Sequence, residues 1–263
     1  MRVEIWSDVV CPWCYIGKRR FERAVAQLHG TVDVEVEWKP FLLDPHAGAT
    51  PEPLREVYAR KFGGRERADA LLARLTATAA AEGLEFDFDA GQVRVTTMPA
   101  HRLLWLAGRE GDQGAVAEAL FAAHFVHGRS VADPGTLVDA GAAGGLASNR
   151  VLALLDGTEG DIEVREDLAR AEDLLITAVP TFVVAGRWPI PGAQDTATFE
   201  RVLRRLAEVE DPGDPGDPGD PGGPGDPGEP GEEADPGDLG EEADPGDLGE
   251  EADADDLSRG AAG

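Results

Sequence analysis

Apolar residues recur with two different periods along the first 210 residues, and these periods predict strands near the ends and helices between them. Thr31 to Trp38, for example, alternates apolar and polar residues as a half-buried strand does. The predicted strands are 2–7, 31–38, 181–184 and 188–190. The predicted helices are 12–28, 51–62, 65–82, 99–110, 113–126, 134–144, 148–155, 161–175 and 195–209.

The composition changes sharply near residue 210. From Asp211 onward the chain consists of Asp-Pro-Gly repeats, followed by two copies of Glu-Glu-Ala-Asp-Pro-Gly-Asp-Leu-Gly that begin at Glu232 and Glu241. This tail has 19 acidic side chains and one arginine, so it carries −18 of the net charge of −27 and leaves −9 on residues 1–210. Because the tail has almost nothing apolar to bury, residues 211–263 are predicted to be disordered.

The net charge, the lengths of the apolar stretches and the first residues of the chain indicate which partners and which cellular compartment to expect. Net acidity argues against nucleic acid as a partner. No stretch approaches the 18 apolar residues of a membrane span, so no membrane partner is predicted. Met1 leads almost directly into the first predicted strand, without the basic and long apolar regions of a secretory signal. We therefore expect a cytoplasmic protein, in which a cysteine pair is more often catalytic than structural.

The only two cysteines stand in Cys11-Pro12-Trp13-Cys14, between the first predicted strand and the first predicted helix. Strand, C-x-x-C and helix in this order are typical of a thioredoxin-type redox dithiol. At a helix start, unpaired N–H groups and the helix dipole favour the thiolate of Cys11, and Pro12 suits the first turn because it needs no N–H partner. We predict that Cys11 is the exposed attacking thiol and Cys14 the more buried resolving thiol.

Val179-Pro180 is the second informative position. Proline cannot donate a ladder hydrogen bond, so Pro180 belongs at the start of the strand 181–184. An X–Pro bond adopts the cis form at low cost. Together with the upstream C-x-x-C, this predicts a cis bond that brings Val179 beside the sulfurs, with its backbone groups available to an extended substrate.

The order of the elements predicts the fold class. Without the central helices, the chain reads β-α-β followed by α-β-β-α, which predicts an α/β, thioredoxin-like fold with a large all-helical insertion domain. We assign residues 1–48 and 172–210 to the thioredoxin-like domain, and 49–171 to the inserted helical domain.

Two other roles for the cysteines fit the sequence less well. A structural disulfide across so small a loop would remove little entropy from the unfolded chain. A zinc site could combine the cysteines with His124 and His127, but these pairs are over a hundred residues apart and nothing else resembles a zinc motif. We therefore predict neither a metal nor a cofactor, and expect His124 and His127 on a helix surface or at the edge of the core.

Several segments together resemble the FrnE-like branch of the DsbA family. They are Ser7 to Lys18, Ala100-His101-Arg102-Leu103, Leu120 to Gly128, Val179-Pro180-Thr181-Phe182 and Gly192-Ala193-Gln194. The resemblance covers essentially all of residues 1–210. The sequence differs from the usual residues of the family at Thr96-Thr97-Met98-Pro99, at Ala178 and at Pro191. These differences concern the expected substrate pocket more than the redox pair.

The resemblance implies a thioredoxin fold with a helical insertion and dithiol oxidoreductase activity, with Cys11 and Cys14 as the redox pair and Pro180 as the cis-proline. It also implies an alternative, because relatives include glutathione-using 2-hydroxychromene-2-carboxylate isomerases and kappa-class transferases. The expected partners are protein or small-molecule thiols and disulfides, bound through a transient mixed disulfide. A third possibility is a non-catalytic binding module that uses the insertion and the acidic tail. For His101 and Arg102 we expect capping or packing roles.

Overall fold

The computed structural model describes residues 1–210, with strands near the two ends of this range and helices between them. The strands are β1 (Arg2–Ser7), β2 (Glu35–Pro40), β3 (Glu52–Pro53), β4 (Val93–Arg94), β5 (Thr181–Val184) and β6 (Trp188–Pro191). The helices are α1 (Pro12–Gln27), α2 (Leu54–Lys61), α3 (Arg65–Ala81), α4 (Met98–Glu110), α5 (Gln113–Phe125), α6 (Pro134–Ala143), α7 (Ser148–Asp156), α8 (Asp161–Asp173) and α9 (Thr196–Glu210). The acidic tail predicted for 211–263 lies outside the described residues.

The main sheet has four strands in the order β2-β1-β5-β6. β1 pairs in parallel with β2, with Arg2 opposite Glu35, whereas β5 is antiparallel to both β1 and β6. β1 is an inner strand, and every residue of it after Arg2 is buried. The loop that leaves the end of β1 is therefore held in place by neighbouring strands on both sides.

Helices α1 and α9 pack against each other, and their aromatic side chains meet the sheet. The Phe21 ring of α1 lies 5.0 Å from that of Phe182 in β5. Phe199 of α9 approaches both rings edge-on, at centroid distances of 5.4 and 4.6 Å. All three side chains are buried, so these contacts fix the position of α1, whose first turn carries the cysteines.

The helices between β2 and β5 pack directly onto the sheet and onto α1. Tyr15 of α1 stacks on Phe121 of α5 at 5.0 Å, and Phe86 stacks on Phe125 of α5 at 4.6 Å. α4, α5 and α8 also contact β2. The inserted helices thus share one continuous apolar core with the sheet.

Glu4 is a charged residue in the inner strand β1, and its surroundings explain why it is tolerated there. It is only 6% exposed, and both of its carboxylate oxygens accept hydrogen bonds from Arg170 of α8, at 3.0 and 2.8 Å. A buried carboxylate paired in this bidentate way avoids most of the cost of burial. The pair ties α8 to the centre of the sheet.

Two elements differ from the sequence predictions. The predicted helix 51–62 begins only at Leu54, because Glu52 precedes Pro53 and is disfavoured in a helix; Glu52–Pro53 pairs instead with Val93–Arg94. The predicted strand 31–38 begins only at Glu35, where the parallel partner Arg2 becomes available. Within residues 1–210, no helix is both long enough and apolar enough to cross a membrane.

Candidate active site

Cys11 caps the first helix at the end of the loop that follows β1. Its backbone is extended (φ −88°, ψ 116°), and its carbonyl oxygen accepts the N–H of Cys14 at 3.1 Å, so the helix begins at Pro12 as predicted. Among residues 1–210, no side chain caps the start of this helix. The N–H of Tyr15 donates to the same carbonyl oxygen at 3.4 Å, so both cysteines belong to the hydrogen-bonded first turn of α1.

Both cysteines are buried. Cys14 is 1% exposed and Cys11 only 3% exposed, so the prediction of an exposed attacking thiol is wrong for Cys11. The reason is tertiary: side chains of α2 and of β4, far away in sequence, line a cavity over Cys11. The pattern of apolar residues in α1 does not indicate which distant side chains lie over Cys11.

Cys14 lies close enough to Cys11 for a thiol hydrogen bond, and the two side chains are not joined by a disulfide. Burial raises the pKa of Cys14 well above that of an ordinary thiol, and the hydrogen bond with Cys11 raises it further. Contacts with the side chain of Ser7 and the backbone of Asp8 act in the opposite direction but are weaker. Cys14 is therefore a protonated thiol at neutral pH, next to Cys11.

The Val179–Pro180 peptide bond is cis. The Sγ of Cys11 donates toward the carbonyl oxygen of Val179 at 3.7 Å, so the structure brings these two predicted site residues together across 168 positions of sequence. Pro180 packs against α1 at Gly17, where a Cβ atom would lie 3.0 Å from the Cγ of Pro180. Glycine at this position thus permits α1 to approach the segment 179–180 closely.

A cavity of about 400 Å³, hereafter the chamber, opens beside Cys11. Val10, Pro12, Trp13 and Val179 line it on the side of the cysteines. The opposite wall comes from the segment between β2 and β5, and its apolar members are Leu43, Leu54, Val57, Tyr58, Phe62, Val93 and Val95. The chamber is the surface from which a reactant can reach the Sγ of Cys11.

Three buried polar side chains, here called the Asp8 cluster, lie next to the chamber: Asp8, His101 and His124. Asp8 accepts the backbone N–H of Leu43 through Oδ2 at 2.8 Å, and its Oδ1 lies 3.5 Å from Nε2 of His101. Asp8 Oδ1, His101 Nε2 and His124 Nδ1 have no hydrogen-bond partner among the described protein atoms. Burial lowers the pKa of His124 to about 4, and the nearby Asp8 opposes this shift only in part.

His124 was expected at a helix surface or at the edge of the core, and this was wrong because it is 1% exposed. Its spacing could have revealed this: Ala117 and Leu120, seven and four positions earlier, are buried on the same face of α5. His127 is exposed, just beyond the end of the helix. Arg102 has the capping role expected of it, since its guanidinium donates to the carbonyl oxygens of Leu154, Gly157 and Glu159.

Comparison with known proteins identifies the family of the chain. The sequence model described as the DSBA-like thioredoxin domain matches residues 2–204. The chain belongs to this family. The thioredoxin-like α/β fold with a helical insertion, predicted from the order of elements, is thereby confirmed, as is the resemblance to the DsbA family.

Two individual relatives match most of the chain. The structure of a probable DsbA oxidoreductase of Streptomyces coelicolor, SCO1869, is 36% identical, with a TM-score of 0.75, and the match covers 87% of this chain and 100% of that one. The Bacillus subtilis protein YwbO is 28% identical over 205 residues, which is 77% of this chain and 96% of YwbO. This DsbA-like chain is therefore a member of a thiol oxidoreductase family.

A more distant similarity concerns the fold alone. The structure of a 2-hydroxychromene-2-carboxylate isomerase has a TM-score of 0.57 at 16% identity, covering 80% of this chain and 98% of that one. At this identity the similarity does not indicate which chemistry the site performs.

Proposed function

We propose that this DsbA-like protein is a dithiol–disulfide oxidoreductase in which Cys11 is the attacking thiol and Cys14 the resolving thiol. The observation that carries the proposal is the pair itself. Cys11 caps α1 and lines the chamber, and the protonated Cys14 lies within hydrogen-bond reach of it. A nucleophilic thiol at a helix start with a second thiol beside it can both form and resolve a mixed disulfide.

The exchange runs in two steps. The Cys11 thiolate attacks a substrate disulfide, R–S–S–R, which forms a Cys11–S–S–R bond and releases one thiolate that takes up a proton. Cys14 then loses its proton and attacks the Sγ of Cys11, which forms the Cys11–Cys14 disulfide and releases the second thiol. The substrate gains two electrons and two protons, which the dithiol loses, and the reverse sequence oxidises a substrate dithiol.

The other proposed site residues act around this pair. Pro12 and Trp13 form the turn between the cysteines, and Trp13 lines the chamber. Val179 and Pro180 form the substrate-binding segment, because the Val179 carbonyl oxygen lies beside the Cys11 sulfur. The proposal includes the cytoplasmic location expected from the sequence, and thiols or disulfides of proteins or small molecules as partners.

The alternative is a glutathione- or other thiol-dependent isomerase or transferase. The volume of the chamber, about 400 Å³, favours it, since this space could hold a small thiol beside a small substrate. In such an enzyme the bound thiol would be the nucleophile, and Cys14 would have no role in the turnover.

Serine substitutions separate these two functions. We expect Cys11→Ser to abolish reduction of a model disulfide by the full-length reduced protein. Cys14→Ser should instead stop after the first step and accumulate a Cys11 mixed disulfide, which intact-protein mass spectrometry measures. Undiminished exchange by Cys11→Ser would overturn the proposal. Turnover of an electrophile by Cys14→Ser with added glutathione, at the wild-type rate, would favour the alternative.

A further inference from the structure

The chamber restricts which disulfides can reach the sulfur. Only 3% of Cys11 is exposed, and Cys11 is one of the residues that line the chamber. Attack on a disulfide requires the substrate sulfur to touch the Sγ of Cys11. The reacting part of a substrate must therefore enter the chamber, whose volume of about 400 Å³ is in the range of small-molecule sites.

The walls of the chamber are mainly apolar where the inserted segment faces Cys11. Leu54, Val57, Tyr58 and Phe62 contribute from α2 and its end, and Val93 and Val95 from β4 and the residues after it. Placing an apolar group among such side chains is favourable because it releases water from both surfaces. These walls favour hydrocarbon groups over charged ones.

Charged side chains of the lining are engaged by their neighbours. Arg94 forms ion pairs with Asp44 and Glu52, and its guanidinium holds the pKa of Asp44 below its usual range. The Lys61 ammonium lies 5.8 Å from the ring of Phe62. A substrate with several carboxylates would have to compete with these partners, and burying an unpaired charge is costly.

The chamber also offers a few hydrogen-bonding groups. Trp13 Nε1, Asp8 Oδ1 and His124 Nδ1 are buried atoms without a hydrogen-bond partner within residues 1–210, and all three residues line the chamber. Asp8 and His124 are each 1% exposed. Buried polar atoms are rarely left unpaired in proteins, and a small apolar cavity with a few such groups is typical of a ligand site.

We propose, on the basis of the function proposed above, that the chamber is the substrate site and that the substrate is a compact disulfide, or the corresponding thiol, with ring-sized apolar groups and a hydroxyl. The aromatic or aliphatic body lies against the wall of α2 and β4. The hydroxyl bonds to the unpaired atoms of Trp13, Asp8 or His124. Glutathione disulfide and polypeptide disulfides are poor substrates.

The chemistry of this substrate is the exchange already written. One molecule of R–S–S–R is reduced to two R–SH while Cys11 and Cys14 become a disulfide, so that electrons and protons balance without a cofactor. A small dithiol such as dithiothreitol returns the protein to its reduced form in the assay.

The first experiment compares substrates in single turnovers of the reduced full-length protein. The probes are bis(4-hydroxyphenyl) disulfide, diphenyl disulfide, glutathione disulfide and an unfolded polypeptide with one disulfide. Each rate is divided by that of N-acetylcysteine with the same probe, because aryl thiolates are intrinsically better leaving groups. We expect the hydroxyphenyl probe to exceed glutathione disulfide and the polypeptide at least tenfold. A normalised preference for either of those two would overturn the proposal.

The second experiment places a charge in the wall. Val57→Arg introduces a guanidinium into the chamber, whereas Glu56→Arg puts the same group on the neighbouring exposed position of α2, which does not line it. We expect Val57→Arg to slow exchange with the diaryl probes at least tenfold and exchange with glutathione disulfide less than threefold. Glu56→Arg should leave the rate of exchange with every probe unchanged. Equal slowing of all probes by Val57→Arg would contradict a selective site.

A third measurement does not depend on the folding of a variant. Bis(4-hydroxyphenyl) sulfide has the shape of the proposed substrate but no disulfide, so it should inhibit wild-type exchange competitively. Absence of inhibition up to its solubility would overturn the proposal. His124→Phe should reduce the advantage of the hydroxyphenyl over the phenyl probe if His124 binds the hydroxyl.

These outcomes are distinguishable from failure of the proposed function. If Cys11→Ser abolishes all exchange but the polypeptide is preferred, the oxidoreductase function stands and the chamber is not the substrate site. If Cys11→Ser retains exchange, the function itself fails.

Discussion

Two polar clusters connect α1 and its loop to the inserted helices, and they differ in how completely their groups are paired. The first surrounds Glu118 of α5, one oxygen of which accepts from Tyr15 and Arg19 at 2.6 Å each. Its other oxygen accepts from the Lys18 ammonium at 2.5 Å. Burial alone would raise the pKa of Glu118, but the hydrogen bonds from Lys18 and Tyr15 hold it below its usual range.

The Asp8 cluster lies at the other end of the same junction and is only partly paired. Asp8 uses one oxygen for Leu43, while its second oxygen, His101 Nε2 and His124 Nδ1 have no hydrogen-bond partner in the described part of the chain. Leaving a buried polar atom unpaired costs about 1–3 kcal/mol. The Glu118 cluster therefore stabilises the junction, whereas the buried unpaired atoms of the Asp8 cluster, beside the cysteines, lower stability.

The largest expected effect concerns His124 and acid. The pKa of His124 is about 4 in the folded protein and about 6.5 in the unfolded chain, so the unfolded chain binds the proton first as the pH falls. The stability is therefore complete above about pH 6.5, and roughly 3 kcal/mol of it is lost by about pH 4. The free energy of unfolding in urea at pH 7, 6, 5 and 4 measures this loss.

His124→Phe isolates this contribution from that of the carboxylates. The loss of stability between pH 6.5 and 4 should be smaller in the variant by the same roughly 3 kcal/mol, because phenylalanine does not titrate. His127→Phe, at an exposed neighbouring position, is the control and should keep the wild-type pH dependence. Parallel curves for wild type and His124→Phe would show that the imidazole is not buried in its neutral form.

The second effect tests the paired cluster. Glu118→Gln removes the carboxylate from Lys18, whose side chain is only 5% exposed, and should lower the free energy of unfolding by roughly 2 kcal/mol. Glu22→Gln is the matched control, because Glu22 also pairs with Lys18 but is 45% exposed; it should cost less than about 0.5 kcal/mol. Equal losses in the two variants would contradict the distinction between a pair that joins α1 to α5 and a pair within α1.

The smallest effect tests the partly paired cluster. Asp8→Asn keeps an oxygen for the N–H of Leu43 and should change the free energy of unfolding by less than about 1 kcal/mol at pH 7. Asp8→Ala leaves that N–H unpaired and should cost about 1–3 kcal/mol. If Asp8→Asn were as damaging as Asp8→Ala, the charge rather than the hydrogen bond would be what the fold requires.

Local patterns predicted most elements within a few residues, because helix and strand periods follow from which face of an element is buried. Local patterns did not predict the elements whose presence or first residue depends on pairing between distant strands. Pro53 and Val93 form a small sheet across forty positions, and the start of β2 depends on its register with β1. The pairing of Val179 with Cys11 was predictable, because the order of strands in the sheet places the start of β5 beside the end of β1.

The chain by itself determined the redox chemistry proposed here and the α/β fold that carries it, because two cysteines at a strand-to-helix turn and the order of elements are local properties. Only the tertiary structure decided that Cys11 is buried, that α2 and β4 form an apolar wall over it, and that Asp8, His101 and His124 come together. These features depend on contacts between segments many residues apart. Such contacts leave no regular period in the sequence.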